Sequence, residues 1–71
     1  MSKQHRVWVA ECLTHDGSEL LSVHLSEQGA RASCADHADG TLAWQRIGSS
    51  RSTAELDDYQ SYFVRELVLR E

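Results

Sequence analysis

The stretch from Tyr59 to Leu69 sets the strongest limit on this chain, because it places apolar side chains on both faces of one extended strand. Strand side chains alternate with period two, so Tyr62, Val64 and Val68 share one side while Phe63, Leu67 and Leu69 share the other. Such a strand needs cover above and below. The remaining sequence provides one helical segment, enough for one face only. The chain has 71 residues, and seven of its apolar residues are Ala. A domain of this size buries roughly 60% of the surface its unfolded form exposes, so its core is thin. One sheet covered by one helix is within reach, and a deep enzyme-like cleft is not.

The opening segment His5 to Thr14 mixes β-branched and aromatic residues with charges, which is strand chemistry. Asp16-Gly17 follows, a dipeptide suited to a two-residue hairpin turn, and Glu19 to Leu25 reads as the return strand. Taking Asp16-Gly17 as the loop sets Cys12 opposite Leu21, Ala10 opposite Val23 and Trp8 opposite Leu25. Glu11, Ser22 and His24 then occupy the other face. A bulge at Gly17 would instead group Val7, Val9, Leu21, Val23 and Leu25; the first register is preferred. Ser26 stands at a helix N-cap position with Glu27 in the first turn. The Ala-rich run continues to Asp39, and Gly40 occupies the place of a C′ glycine. Ala30, Cys34 and Ala38 form the expected inner stripe, flanked by Ser33 and His37, and Glu27 and Arg31 are spaced for an i,i+4 pair. Thr41 to Ile47 reads as a strand, Gly48 to Ser52 as a polar loop, and Thr53 to Asp58 as a short strand or a turn. These elements predict one α+β domain spanning residues 1–71. It is a two-layer fold: a largely antiparallel sheet, made of a β-hairpin and two to three later strands, with one helix packed on it.

The charge is uneven. Eleven acids and seven bases give a net of −4, and residues 11–45 carry six acids against Arg31 alone. A basic stripe, the usual footprint of duplex binding, is missing, so nucleic-acid binding is disfavoured. No apolar run approaches the ~18 residues of a membrane span. Met1 to Arg6 leads into no apolar core of a secretory signal, and two cysteines are too few for a disulfide scaffold. The expected setting is cytoplasmic, with Cys12 and Cys34 reduced.

Sites for chemistry are poor. Cys34 and His37 share a helix face and Cys12 can lie beneath them, but the spacing matches no zinc motif, and no metal or cofactor is expected. Asp36 to Gly40 resembles a calcium loop until tested: with Gly40 at loop position 6, positions 1 and 12 fall on Ala35 and Arg46. Neither is a carboxylate. The four glycines are dispersed rather than gathered into a phosphate loop, no nucleophile elbow is present, and Asp57-Asp58 suits a turn. The chain reads as non-enzymatic. Candidate interface residues are Asp36 and Asp39, two acids at a helix end that the dipole does not favour, with Trp44, Arg46 and Tyr59.

The order of landmarks resembles small, mostly uncharacterised proteins of bacteriophages and mobile elements, particularly those of actinobacteria. The matching features are the Val7-Trp8-Val9-Ala10-Glu11 strand, the Asp16-Gly17 hairpin and the Ala-rich helix, then the Trp44 strand and the closing Tyr62-Phe63-Val64-Arg65-Glu66 strand. The resemblance implies an accessory protein in the host cytoplasm that binds, and by binding inhibits, a host protein such as a defence component. It supplies no catalytic residues. From the residues themselves, the expected partner is a protein with a basic surface, met by the acidic 11–45 segment. The doubly apolar closing strand implies a homodimer or an obligate partner. Two other readings compete: a nucleic-acid-associated protein using Arg46, Arg51 and Arg65, and a structural homo-oligomer. Protein purified without chelator should carry no stoichiometric zinc, and a strong chelator should leave its circular dichroism unchanged; bound zinc with loss of structure on chelation refutes this.

Overall fold

The computed structural model describes residues 4–70, and the side chains of residues 5–69. Lys3, counted above among the basic residues, and Glu71 lie outside the described residues. The elements are β1 (Gln4–Thr14), β2 (Gly17–His24), α1 (Glu27–Ala38), β3 (Gln45–Ile47), β4 (Arg51–Glu55) and β5 (Ser61–Arg70). They form one five-stranded antiparallel sheet in the order β2-β1-β5-β4-β3, with α1 across β1, β2 and β5. This is the small two-layer α+β fold read from the sequence.

The helix begins as expected. Ser26 is extended, and its side chain accepts a hydrogen bond from the Gly29 N–H at 3.0 Å. Ala30 and Cys34 are fully buried, and Ala38 packs against the same cluster. Facing them on the sheet are the side chains of Ala10, Cys12, Ala54, Tyr62 and Val64, and Leu42 joins from the segment after the helix. Most of these residues are small, so the helix lies close to the strands. Tyr62 is the largest fully buried side chain. Its hydroxyl accepts from Gln60 Nε2 at 2.6 Å and lies 2.8 Å from His37 Nδ1. The hydroxyl and the His37 ring share a hydrogen bond, and the last helical turn is tied to β5.

Several boundaries and pairings differ from the sequence reading. The hairpin loop is His15-Asp16, one residue earlier than Asp16-Gly17, because Thr14 pairs with Gly17. The Thr14 hydroxyl accepts from the Asp16 N–H at 3.3 Å, and Gly17 takes φ +122°, a value that L side chains rarely adopt. A bulge follows at Leu21, not at Gly17: Glu11 pairs with Leu20, whereas Ala10 pairs with Ser22. Cys12 therefore faces Glu19, Ala10 faces Ser22 and Trp8 faces His24. Ser22 and His24 thus share the helix side with the core, contrary to expectation. Ser22 Oγ makes this tolerable by bonding both His24 Nε2 and Ser33 Oγ of the helix, each at 2.7 Å. Val23 turns to the opposite face beside Val9.

Three further boundaries move. The left-handed residue closing the helix is Asp39 (φ 58°), not Gly40, and aspartate is among the few residues that enter this region readily. The strand expected over Thr41 to Ile47 is only Gln45–Ile47, since Leu42 and Trp44 turn inward to extend the core past the helix. The closing strand starts at Ser61, because the Leu56 and Asp57 N–H groups both bond Gln60 O in a tight turn.

Burial, with Cys12 nearby, pushes the Cys34 thiol from 9.0 up to about 11, and burial raises the Tyr62 hydroxyl in the same direction. The native state then holds its protons to higher pH than the unfolded chain does. The stability these two groups contribute should be level just below pH 9 and fall as pH rises from 9 towards 11. Urea midpoints across this range test it; Cys34→Ala should make the alkaline slope shallower without abolishing it, because Tyr62 contributes in the same sense.

Candidate functional site

The β1–β2 turn, the β4–β5 turn and the C-terminal end of α1 meet at one end of the molecule. The His15 and Tyr59 rings stand 5.0 Å apart and join the two turns. His37 on Tyr62, one residue into β5, brings the helix end to the same place. Asp16, Glu19, Asp36, Asp39, Glu55, Asp57 and Asp58 sit on these segments, and all seven are exposed. No Lys or Arg occurs in residues 14–24, 32–45 or 52–64, so the arginines lie elsewhere. The negative end of the helix dipole adds to the same field. Tyr59 stands among these acids with 69% of its surface exposed. Its N–H donates to Asp57 Oδ1 at 2.8 Å, which fixes the turn that presents it. Glu55, Asp57 and Asp58 line a shallow hollow with His15 and Tyr59.

The other described carboxylates are all held by arginine. Glu11 accepts from Arg65 Nε at 2.8 Å, Glu66 lies 3.8 Å from Arg6, and Glu27 receives both Arg31 at 2.6 Å and Arg46 at 3.0 Å. Two of the six acids in segment 11–45 are therefore neutralised locally, and the acidic surface is not that segment as a whole. It is one end of the fold, assembled from three parts of the sequence.

The five candidate interface residues do not form one patch. Asp36, Asp39 and Tyr59 belong to the acidic end. Trp44 and Arg46 lie near the start of the helix, in a cluster built around Arg31. The Arg31 guanidinium donates to Ser52 Oγ at 2.7 Å, pairs with Glu27 and sits 5.3 Å from the centre of the Trp44 ring. Trp44 is half-buried there, and Arg46 spends its charge on Glu27. These contacts fasten the helix start to β3 and β4. Arg46, Arg51 and Arg65 are likewise not one basic patch. Arg46 pairs with Ser52 on the helix side of the sheet, whereas Arg51 and Arg65 project from the opposite face.

The sulfur and imidazole groups are engaged separately. Cys12 and Cys34 are free and buried, His24 bonds Ser22, and His37 bonds Tyr62. Among the described residues, no three His, Cys, Asp or Glu side chains come together to hold a metal ion. The acidic 11–45 segment of the sequence reading holds Asp16, Glu19, Asp36 and Asp39 but not Glu55, Asp57 and Asp58, which the fold adds to them. The signal was present in the three long stretches without Lys or Arg. Comparison with protein-family models, curated proteins and solved structures gives no match to this chain.

Arg31→Ala removes a hydrogen bond, an ion pair and the cover over Trp44 together. It should cost about 1–3 kcal/mol in urea unfolding, whereas Tyr59→Ala, at an exposed turn, should change stability by less than about 0.5 kcal/mol.

Proposed function

We propose that this chain is a non-enzymatic binding protein whose acidic end docks on a basic surface of a partner protein. One observation carries the reading: seven exposed carboxylates gather at one end with no Lys or Arg on the segments that bear them. A field of this kind speeds encounter with a positively charged target and sets the salt dependence of association. Tyr59, exposed beside Glu55, Asp57 and Asp58, offers the aromatic anchor that interface hot spots favour. A basic groove that normally holds nucleic acid has matching electrostatics, and occupying it would inhibit the partner without any chemistry by this chain. The likeness in layout to phage and mobile-element accessory proteins favours a host protein, such as a defence component, met in the host cytoplasm.

The nucleic-acid-associated reading has less support. Its three arginines stand on opposite faces, and Arg46 and Arg65 are already paired with glutamates.

The test uses a partner recovered from host lysate and association kinetics over a range of salt. Asp36→Asn with Asp39→Asn removes two charges, and asparagine keeps the left-handed cap at position 39. The association rate should fall severalfold and its salt slope should flatten, while Tyr59→Ala should mainly raise the dissociation rate, by roughly tenfold or more. An unchanged rate and slope in the double Asn variant would show that these acids serve solubility alone.

A further inference from the structure

We propose that the open face of the sheet is the interface between two copies of this chain, packed sheet to sheet with each helix outside. The face opposite α1 carries Leu13, Leu20, Val23, Phe63, Leu67 and Leu69, of which five are exposed; Leu20 is 60% exposed and Leu67 37%. They outsize most of the buried core, where Ala and Cys predominate. Half of the exposed large apolar residues among those described therefore lie on the side that the helix does not reach. A second layer is what this arrangement lacks.

Three observations point to another copy as that layer. First, the size fits. Strands β2, β1 and β5, of 8, 11 and 10 residues, tile a plane of about 450 Å² at ~3.3 Å rise and ~4.8 Å spacing. With β4 and β3 the plane approaches about 600 Å² before side-chain relief, above the ~500 Å² per partner that a specific interface needs. Second, the charge fits. The chain is net −4, yet this face balances Glu11 and Glu55 against Arg51 and Arg65. Two copies repel least across it, and the Arg51–Arg65 pair, directly opposed on neighbouring strands, gains from a partner's carboxylate. Third, the edges are closed to sheet extension. β2 is broken by the Leu21 bulge and β3 has three residues, so pairing edge to edge is blunted while the face stays open. Of the seven acids at the acidic end, packing of this kind covers Glu55 alone and leaves the two turns and the helix end open, so the inference stands whether or not that end binds a partner.

Light scattering on the wild-type chain should give about 16 kDa, twice its 8.0 kDa mass, and the thermal midpoint should rise with protein concentration. Leu20→Glu and Leu67→Glu each place a charge on the open face, and each should yield the 8.0 kDa species. Leu56→Glu, at the acidic end, should leave the dimer intact. Should either face variant fail to fold, hydroxyl-radical footprinting of the wild type decides: Phe63 and Leu67 become protected on concentration while Leu56 does not. A wild-type mass of 8.0 kDa with a concentration-independent midpoint overturns the proposal, including the case where a different protein covers the face. So does a dimer that survives both face variants, or one whose protection falls elsewhere.

Discussion

The close approach of α1 to the sheet is the constraint on which this structure depends. Ala30 and Cys34 present almost no bulk, and Ala10 and Cys12 receive them with little more. Close packing extracts much dispersion energy from few atoms, but it leaves no room for large side chains. Tyr62 is the exception, and it fits because its ring lies within the layer while its hydroxyl reaches the helix margin at His37. Leucines that would fill a deeper core are displaced to the other face or the periphery. The same packing that lets so short a chain close around its helix leaves its sheet half covered.

Polar groups supplement this thin core at both ends of the helix. At its start, Glu27, Arg31 and Arg46 form a chain of charge that reaches Ser52 on β4 and shields the Trp44 ring. At its end, the Gln60–Tyr62–His37 series does the equivalent work on β5. Between them, Ser33 bonds Ser22 and holds the helix to β2. Each contact is worth about 0.5–1.5 kcal/mol net, yet leaving any member buried and unpaired would cost more. These contacts fix where the helix lies on a flat bed of small side chains that would otherwise permit sliding.

Much of this was legible in the sequence where local chemistry decides. Ser26 with Glu27, the Ala30–Cys34–Ala38 stripe and the two-faced strand at Tyr62 to Leu69 signalled themselves through caps and periodicity. The hairpin was legible as a hairpin but not in register. Asp16-Gly17 suits a turn in isolation, and it was the pairing of Thr14 with Gly17 and the bulge at Leu21 that moved Ser22 and His24 beneath the helix. Those polar positions are acceptable only because Ser33 lies above them, a contact eleven residues distant. The acidic end was half legible. Asp36 and Asp39 stood out against the helix dipole, but Asp57 and Asp58 join them only through the meeting of two turns. The contacts of Trp44 with Arg31 and of Arg46 with Glu27 were not legible, because these partners are remote in sequence.

The strand order has a consequence for how this chain acquires its shape. β1, the first strand of this sheet, takes its last strand, β5, as its longest partner, from Gln4 opposite Arg70 to Leu13 opposite Ser61. The hairpin with β2 and the helix can form early, but an isolated hairpin is marginal in water. The part of the surface under α1 that holds Tyr62 and Val64 is absent until residue 64 has left the ribosome. Synthesis thus produces β1 to β4 and most of β5 before the central pair can close, and β1 spends that interval with an unpaired edge. Cooperative folding here is a single late event, governed by the meeting of the two most distant strands.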